Sequence, residues 1–170
     1  VSGLLSLKPS LYVCNVDEES ISKGNKYTSK FIETYGERDT IIISAEIENQ
    51  LNSLNNIEKK KYMDMLNIKE TGIKILTKKG YNLLGLETFF TSGPEESRAW
   101  TINKDCLAPK AAGKIHTDFE KGFIRAEVVS YEDYVNLGGE KKSKEAGKMR
   151  VEGKDYLVED GDVIYFRFNI

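Results

Sequence analysis

The stretch Thr117-Asp118-Phe119-Glu120-Lys121-Gly122-Phe123-Ile124-Arg125-Ala126-Glu127-Val128 changes its periodicity from helix to strand at a single glycine. Thr117 and Glu120 have the spacing of a capping box, in which the Thr117 hydroxyl accepts from the Glu120 amide and the Glu120 carboxylate reaches back. Gly122 should stop that short helix. Ile124, Ala126 and Val128 then alternate with Arg125 and Glu127, the pattern of a half-buried strand.

Reading outward, Ser130 starts another helical stretch that ends near Gly138-Gly139. Two strands follow, Tyr156–Val158 and Val163–Phe168, joined by the tight Glu159-Asp160-Gly161-Asp162 turn; Ile164, Phe166 and Phe168 share a face. Upstream, Leu86–Ser92 and Arg98–Ile102 are rich in aromatic and β-branched residues, and Gly93-Pro94-Glu95-Glu96 between them has hairpin character. Residues 85–170 therefore read as one mixed, β-rich domain of a size that folds alone. Trp100, Phe89, Phe90, Phe166 and Phe168 are expected in its core.

Residues 1–84 have another texture. Leu11–Val16 is a continuous apolar run, as expected of a strand buried on both faces in a parallel sheet. Tyr27, Phe31, Ile32 and Tyr35 repeat at helical spacing before Gly36, and Thr40–Ser44 is a second buried strand. Strand, helix, strand at this separation is a βαβ unit. Helical stripes follow at Ile47, Leu51, Leu54, then Tyr62, Met65, Leu66, then Ile73, Leu76, Tyr81, Leu84, with Thr71-Gly72 as the third start. The run Glu58-Lys59-Lys60-Lys61 reads as a solvated helix face.

A net charge of -2, with 31% charged and 39% hydrophobic residues, describes a soluble globular surface. No apolar run is long enough for a membrane span, and Val1–Leu7 lacks the basic leader of a signal peptide. Cys14 and Cys106 form no CxxC pattern, and His116 is the single histidine, so a Cys/His zinc site cannot be assembled. The absence of a disulfide framework fits a reducing, cytoplasmic setting. Asp118 lies near His116, but no nucleophile completes a triad, so a structural hydrogen bond is the expected role of this histidine.

Two constellations can carry chemistry. Asn15-Val16-Asp17-Glu18 and Ser44-Ala45-Glu46 close neighbouring parallel strands, and ligands of open α/β sheets bind beyond the carboxyl ends of strands. An amide and a carboxylate there can read a nucleobase. By spacing alone, ordinary capping accounts for both more readily. The second constellation is Lys141, Lys142, Lys144, Lys148 and Arg150, with Tyr131 and Tyr134 nearby. Mixed with Glu140 and Glu145, such a run is more often a solvated face; its functional reading is contact with RNA phosphates and bases.

Lys8-Pro9 with LYVCNVDE (Leu11–Glu18), IIISAEIE (Ile41–Glu48), GLETFFTSGPEESRAWTI (Gly85–Ile102), APKAAGKIHTDFEKGFIRAEVVSYEDYV (Ala108–Val135) and VEGKDYLVEDGDVIYFRFNI (Val151–Ile170) resembles the C-terminal half of the YchF/Obg-like ATPase family. These are Obg-related P-loop nucleotide hydrolases, and the likeness runs from Lys8 to Ile170. It implies that residues 1–84 are the C-terminal part of an α/β P-loop G-domain sheet with helices. It further implies that residues 85–170 are a TGS domain, a ubiquitin-like β-grasp of the α+β class.

By the same resemblance, Asn15 and Glu18 match the fourth nucleotide-specificity motif in an NxxE form, and Ser44, Ala45 and Glu46 match the fifth. Val16 stands where a GTPase carries lysine, and Glu18 where it carries aspartate. Guanine-reading geometry is then lost and adenine admitted, with Asn15 and the Val16 main chain as its contacts. The resemblance implies ATP hydrolysis with magnesium, GTP being tolerated, and association with the ribosome or RNA through the TGS region. No GxxxxGK[ST] occurs, and no DxxG precedes Asn15. The chain by itself is therefore expected to be a part of a longer hydrolase, without catalytic residues and without a cofactor of its own. The alternative is a non-enzymatic TGS-type adaptor for RNA or ribosomes. A Walker A motif encoded ahead of Val1 would decide between them.

Overall fold

The computed structural model describes residues 3–169, so part of the apolar start lies outside the described residues. The chain folds as two compact units, one ending at Leu84 and the other beginning at Gly85.

The first unit opens with a short 3-10 turn at Leu5–Leu7 and continues β1 (Tyr12–Asn15), α1 (Lys26–Tyr35), β2 (Thr40–Ile43), α2 (Ala45–Ser53), α3 (Asn56–Met65) and α4 (Gly72–Leu84). β1 and β2 pair in parallel, Tyr12 opposite Thr40 and Asn15 opposite Ile43, which makes β1-α1-β2 the expected βαβ unit. α1 starts where the Asn25 side chain accepts from the Tyr27 and Thr28 amides while the Thr28 hydroxyl accepts from the Asn25 N–H. Phe31 and Tyr35 lie 5.3 Å and 5.0 Å from the Tyr12 ring, centroid to centroid, and pack α1 onto β1. Ile41, Ile47 and Leu51 form the buried centre.

β1 is not buried on both faces: α1 packs on the Tyr12 side, and Val13 on the other keeps 44% of its surface exposed. Of the expected stripes, Met65, Ile73 and Leu84 are also exposed, whereas Ile47 and Leu51 are buried. The Thr71 hydroxyl accepts from the Lys74 N–H at the start of α4, and position 72 is a glycine for a steric reason. A Cβ there would come within 2.6 Å of Ile43 Cγ2, and the Gly72 N–H donates to the Glu48 carboxylate at 2.5 Å.

The second unit contains β3 (Leu86–Ser92), β4 (Ser97–Asn103), α5 (Ala108–Ile115), α6 (Thr117–Lys121), β5 (Phe123–Ser130), α7 (Tyr131–Leu137), α8 (Glu140–Glu145), β6 (Arg150–Glu152) and β7 (Asp162–Phe168). Its mixed sheet has the order β4-β3-β7-β5-β6, with β3 and β7 parallel and the other pairs antiparallel. The hairpin at Gly93 is closed by its N–H donating to the Glu96 carbonyl at 2.8 Å. Ala108, Ala111 and Ala112 are fully buried on α5, where small side chains let the helix approach Phe89, Ala126 and Ile164. Trp100 and Phe166 pack against this core, and Phe168 stacks on Phe119; Phe90 instead faces Tyr131.

Three local expectations are corrected. The cap of α6 is His116, whose Nδ1 accepts from the Asp118 N–H at 3.2 Å, so Thr117 is the first helical residue and no capping box forms. The Glu120 carboxylate instead pairs with Lys110 at 2.5 Å. Ile124 is exposed because the β5–β7 register shifts between Phe123 and Arg125; the buried face resumes at Ala126. Tyr156–Val158 makes only an isolated antiparallel bridge, Leu157 opposite Leu107 ahead of α5, with Ala108 N–H to Tyr156 O (2.8 Å) and Val158 N–H to Cys106 O (2.9 Å). The strand in its place is β6, paired with β5.

Candidate functional site

The first unit brings the ends of β1 and β2 together. The Asn15 side-chain oxygen accepts from the Ala45 N–H at 2.9 Å, joining the loop after β1 to the start of α2. Asn15 is exposed, and its Nδ2 donors have no protein partner among the described residues. The Val16 N–H is taken by the Ile43 carbonyl at 2.8 Å. Any hydrogen bond from the Val16 main chain to a ligand must therefore come from its carbonyl, an acceptor. That polarity matches an exocyclic amino group and not a carbonyl oxygen.

Ser44 is buried, and its hydroxyl caps α2 by accepting from the Ile47 N–H at 3.5 Å. Its task is to orient the helix start. Ala45 and Glu46 are exposed in the first turn of α2, and Glu18 is exposed after β1. Both carboxylates act on a residue that the sequence placed in an apolar stripe: Tyr62 on α3. Its phenol is pushed above its ordinary pKa by burial first, then by Glu18 and Glu46. The Tyr62 hydroxyl donates to Gln50 Oε1 on α2. Tyr62 is thus joined to α2 through Gln50, a contact that no spacing rule in the sequence announces.

The second constellation is brought together only in part. Lys141, Lys142 and Lys144 are exposed on α8. Lys148 pairs with Asp133 at 3.5 Å. Arg150 is committed to the buried Asp162 at 3.5 Å and to the Tyr156 hydroxyl at 2.9 Å, with its guanidinium over the Tyr156 ring. His116 serves as the cap described above. Among the described residues no group of three or more His, Cys, Asp or Glu could hold a metal, and no helix is long and apolar enough to cross a membrane.

Comparison with known proteins supplies the family. The family model YchF-GTPase_C, described as a protein of unknown function (DUF933), matches residues 86–169. The "Ribosome-binding ATPase YchF" of Bacillus subtilis is 50% identical over 171 residues, covering 98% of this chain and 47% of that protein. The "Obg-like ATPase 1" of Rattus norvegicus is 46% identical over 171 residues, covering 98% of this chain and 43% of that protein. The structure of the Schizosaccharomyces pombe YchF GTPase superposes with a TM-score of 0.81 at 36% identity, over 96% of this chain and 44% of that one. The chain spans about half the length of the curated relatives it matches. It belongs to the YchF/Obg-like ATPase family.

Proposed function

We propose that the protein is a ribosome-associated, YchF-type nucleotide hydrolase in which the ends of β1 and β2 hold the base, with ATP preferred over GTP. The observation that carries this reading is the Asn15–Ala45 hydrogen bond, which fixes an amide donor beside the unused Val16 carbonyl. Adenine presents a 6-amino donor where guanine presents an oxygen, so the acceptor at Val16 favours adenine. Asn15 offers its Nδ2 to the base, Ser44 and Ala45 hold the second loop, and Glu18 and Glu46 flank it with Tyr62.

The first unit is, on this reading, the C-terminal part of a P-loop G domain, and phosphates with magnesium are held by segments that this sequence does not contain. The second unit is a TGS domain. Its parallel central pair β3–β7, with antiparallel neighbours and α5 on one face, supports a ubiquitin-like β-grasp. Ribosome binding comes to this protein from the names of its relatives. On this reading the cytoplasmic setting follows from association with the ribosome.

Competition between ATP and GTP tests the base reading, on protein of the relatives' length. Val16→Lys with Glu18→Asp restores the guanine-reading pattern, and a hydrogen bond to a charged group contributes roughly 1.5–3 kcal/mol. The ATP/GTP affinity ratio should fall by about tenfold or more. A ratio that does not move would remove the base from these loops. Binding of ribosomes without any nucleotide binding or hydrolysis would instead favour the adaptor reading.

A further inference from the structure

The lysines of α3 were expected to be a solvated face, yet three of the chain's cations line one open cleft there. Asn56, Lys60, Met63 and Asn67 follow one another at helical spacing, and Lys59 lies beside them. The helix then ends in a Schellman turn. Asn67 adopts a left-handed φ of 56°, the Ile68 N–H donates to the Met63 carbonyl at 3.0 Å, and the Asn67 N–H donates to Asp64 at 3.1 Å. This reversal carries Ile68 and Lys69 back to the cleft lined by Lys59 and Lys60.

The cleft keeps an excess of positive charge. Glu58, the acidic member of the run, is turned to the helix start, where its carboxylate accepts from the Asn55 N–H at 3.3 Å. Among the described residues none of Lys59, Lys60 and Lys69 is in an ion pair. Three lysines stand against the single Asp64, a net of +2 in the lining. In the second unit Lys148 and Arg150 are paired with Asp133 and Asp162, and the exposed Lys141, Lys142 and Lys144 lie on a helix flanked by Glu140 and Glu145.

We propose that this α3 cleft grips an RNA backbone, with Lys59, Lys60 and Lys69 on phosphates and the Asn56 and Asn67 amides on sugar or base edges. Met63 and Ile68 supply an apolar floor on which a ribose or base can lie, a feature that a purely acidic peptide does not use. The proposal rests on the ribosome-association reading above and names the surface and the chemistry of that contact.

The test measures binding of a fluorescein-labelled single-stranded oligoribonucleotide, and cosedimentation with purified ribosomes, across a salt series. Lys59→Glu with Lys69→Glu should weaken RNA binding by about tenfold or more and reduce the log–log salt slope by about 1.4, or 0.7 per lost phosphate. Lys59→Gln with Lys69→Gln, which adds no repulsion, should reduce the slope equally while circular dichroism stays unchanged. Lys141→Glu with Lys142→Glu, in the α8 run flanked by Glu140 and Glu145, should reduce the slope by less than the α3 pair does. If the α3 variants keep the wild-type slope, or the α8 variant loses it instead, the proposal is overturned. Displacement of the RNA by poly-glutamate at equal charge would also overturn it, as a general anion surface. Wild-type protein that binds no ribosome at all would bring down the ribosome reading itself, which is a distinguishable result.

Discussion

The carboxamide oxygen of Asn15, the last residue of β1, accepts a 2.9 Å hydrogen bond from the N–H of Ala45, the first residue of α2. One amide thus uses its acceptor to clamp two loops, and its donor has no protein partner among the described residues. The two halves of the side chain can be separated by substitution.

Asn15→Ala should lose both halves, whereas Asn15→Asp keeps an oxygen that accepts from Ala45 and removes the donor. A single hydrogen bond contributes about 0.5–1.5 kcal/mol. Amide exchange at Ala45 should therefore speed up by roughly twofold to tenfold in Asn15→Ala and stay near wild type in Asn15→Asp. Nucleotide affinity, measured at the relatives' length, should fall in both. Retention of ATP affinity in Asn15→Asp would show that the donor faces no base.

Tyr62 gives a test of the loop neighbourhood that needs no nucleotide. Burial and the carboxylates of Glu18 and Glu46 hold its phenol above the ordinary tyrosine range. Since the neutral form is favoured in the folded protein, the stability linked to it is lost as pH rises beyond the unfolded tyrosine value of about 10. Glu18→Gln with Glu46→Gln should lower the Tyr62 titration midpoint, followed by NMR of ring-labelled tyrosine, while leaving the part due to burial. An unmoved midpoint would place both carboxylates away from α3.

The βαβ unit and the hairpin were legible because their signals are local. The run Ile41-Ile42-Ile43, the glycine at 36 and the Gly93-Pro94 turn each act within a few residues. β6 was not legible: Arg150-Val151-Glu152 has no apolar period, Val151 is exposed, and only pairing with Ala126–Val128 makes it a strand. Tyr156–Val158 carries good strand residues, but it bridges only Leu107 in the segment entering α5 and joins no sheet. The same division holds for the site. Asn15 and Ser44 close strands and could be read as a pair; Tyr62 bonds Gln50 of α2 from a later helix, and Arg150 is withdrawn from the basic run by a buried aspartate.

Glu127 should govern part of the acid sensitivity of the second unit. It is buried on β5, with Arg125 at 3.1 Å and Arg167 at 2.8 Å. The Arg167 guanidinium, opposed by burial and aided by Arg125, holds its carboxyl below the usual range. A depressed folded pKa means stability that is present above the unfolded value of about 4.3 and lost as pH falls through the folded one. Because both arginine heads are half exposed, Glu127→Gln should cost only about 1–2 kcal/mol near neutrality. Urea midpoints of wild type and variant should converge in acid; a gap that does not change with pH would assign the cost to packing.

Gly122 separates a backbone constraint from ordinary glycine flexibility. It ends α6 with its N–H on the Asp118 carbonyl at 2.8 Å, and its own carbonyl accepts from the Asn169 N–H at 2.9 Å. A Cβ on Gly122 would land on the Asn169 carbonyl oxygen, which is backbone and cannot rotate away. The chain beyond β7 would have to move, and with it Phe168, whose ring stacks on Phe119 at 3.8 Å. Forcing an extra methyl into packed structure costs about 1–3 kcal/mol. For a unit of this size each kcal/mol lowers the melting temperature by roughly 4–8 °C, so Gly122→Ala should melt about 5–15 °C earlier. Gly153 is the control: it has open space around its Cβ position, and φ there is not left-handed. Gly153→Ala should be neutral or slightly stabilising, because alanine reduces the freedom of the unfolded chain. Equal melting temperatures for the two variants, followed by near-ultraviolet circular dichroism of the second unit's aromatic core, would mean that the end of β7 yields without cost.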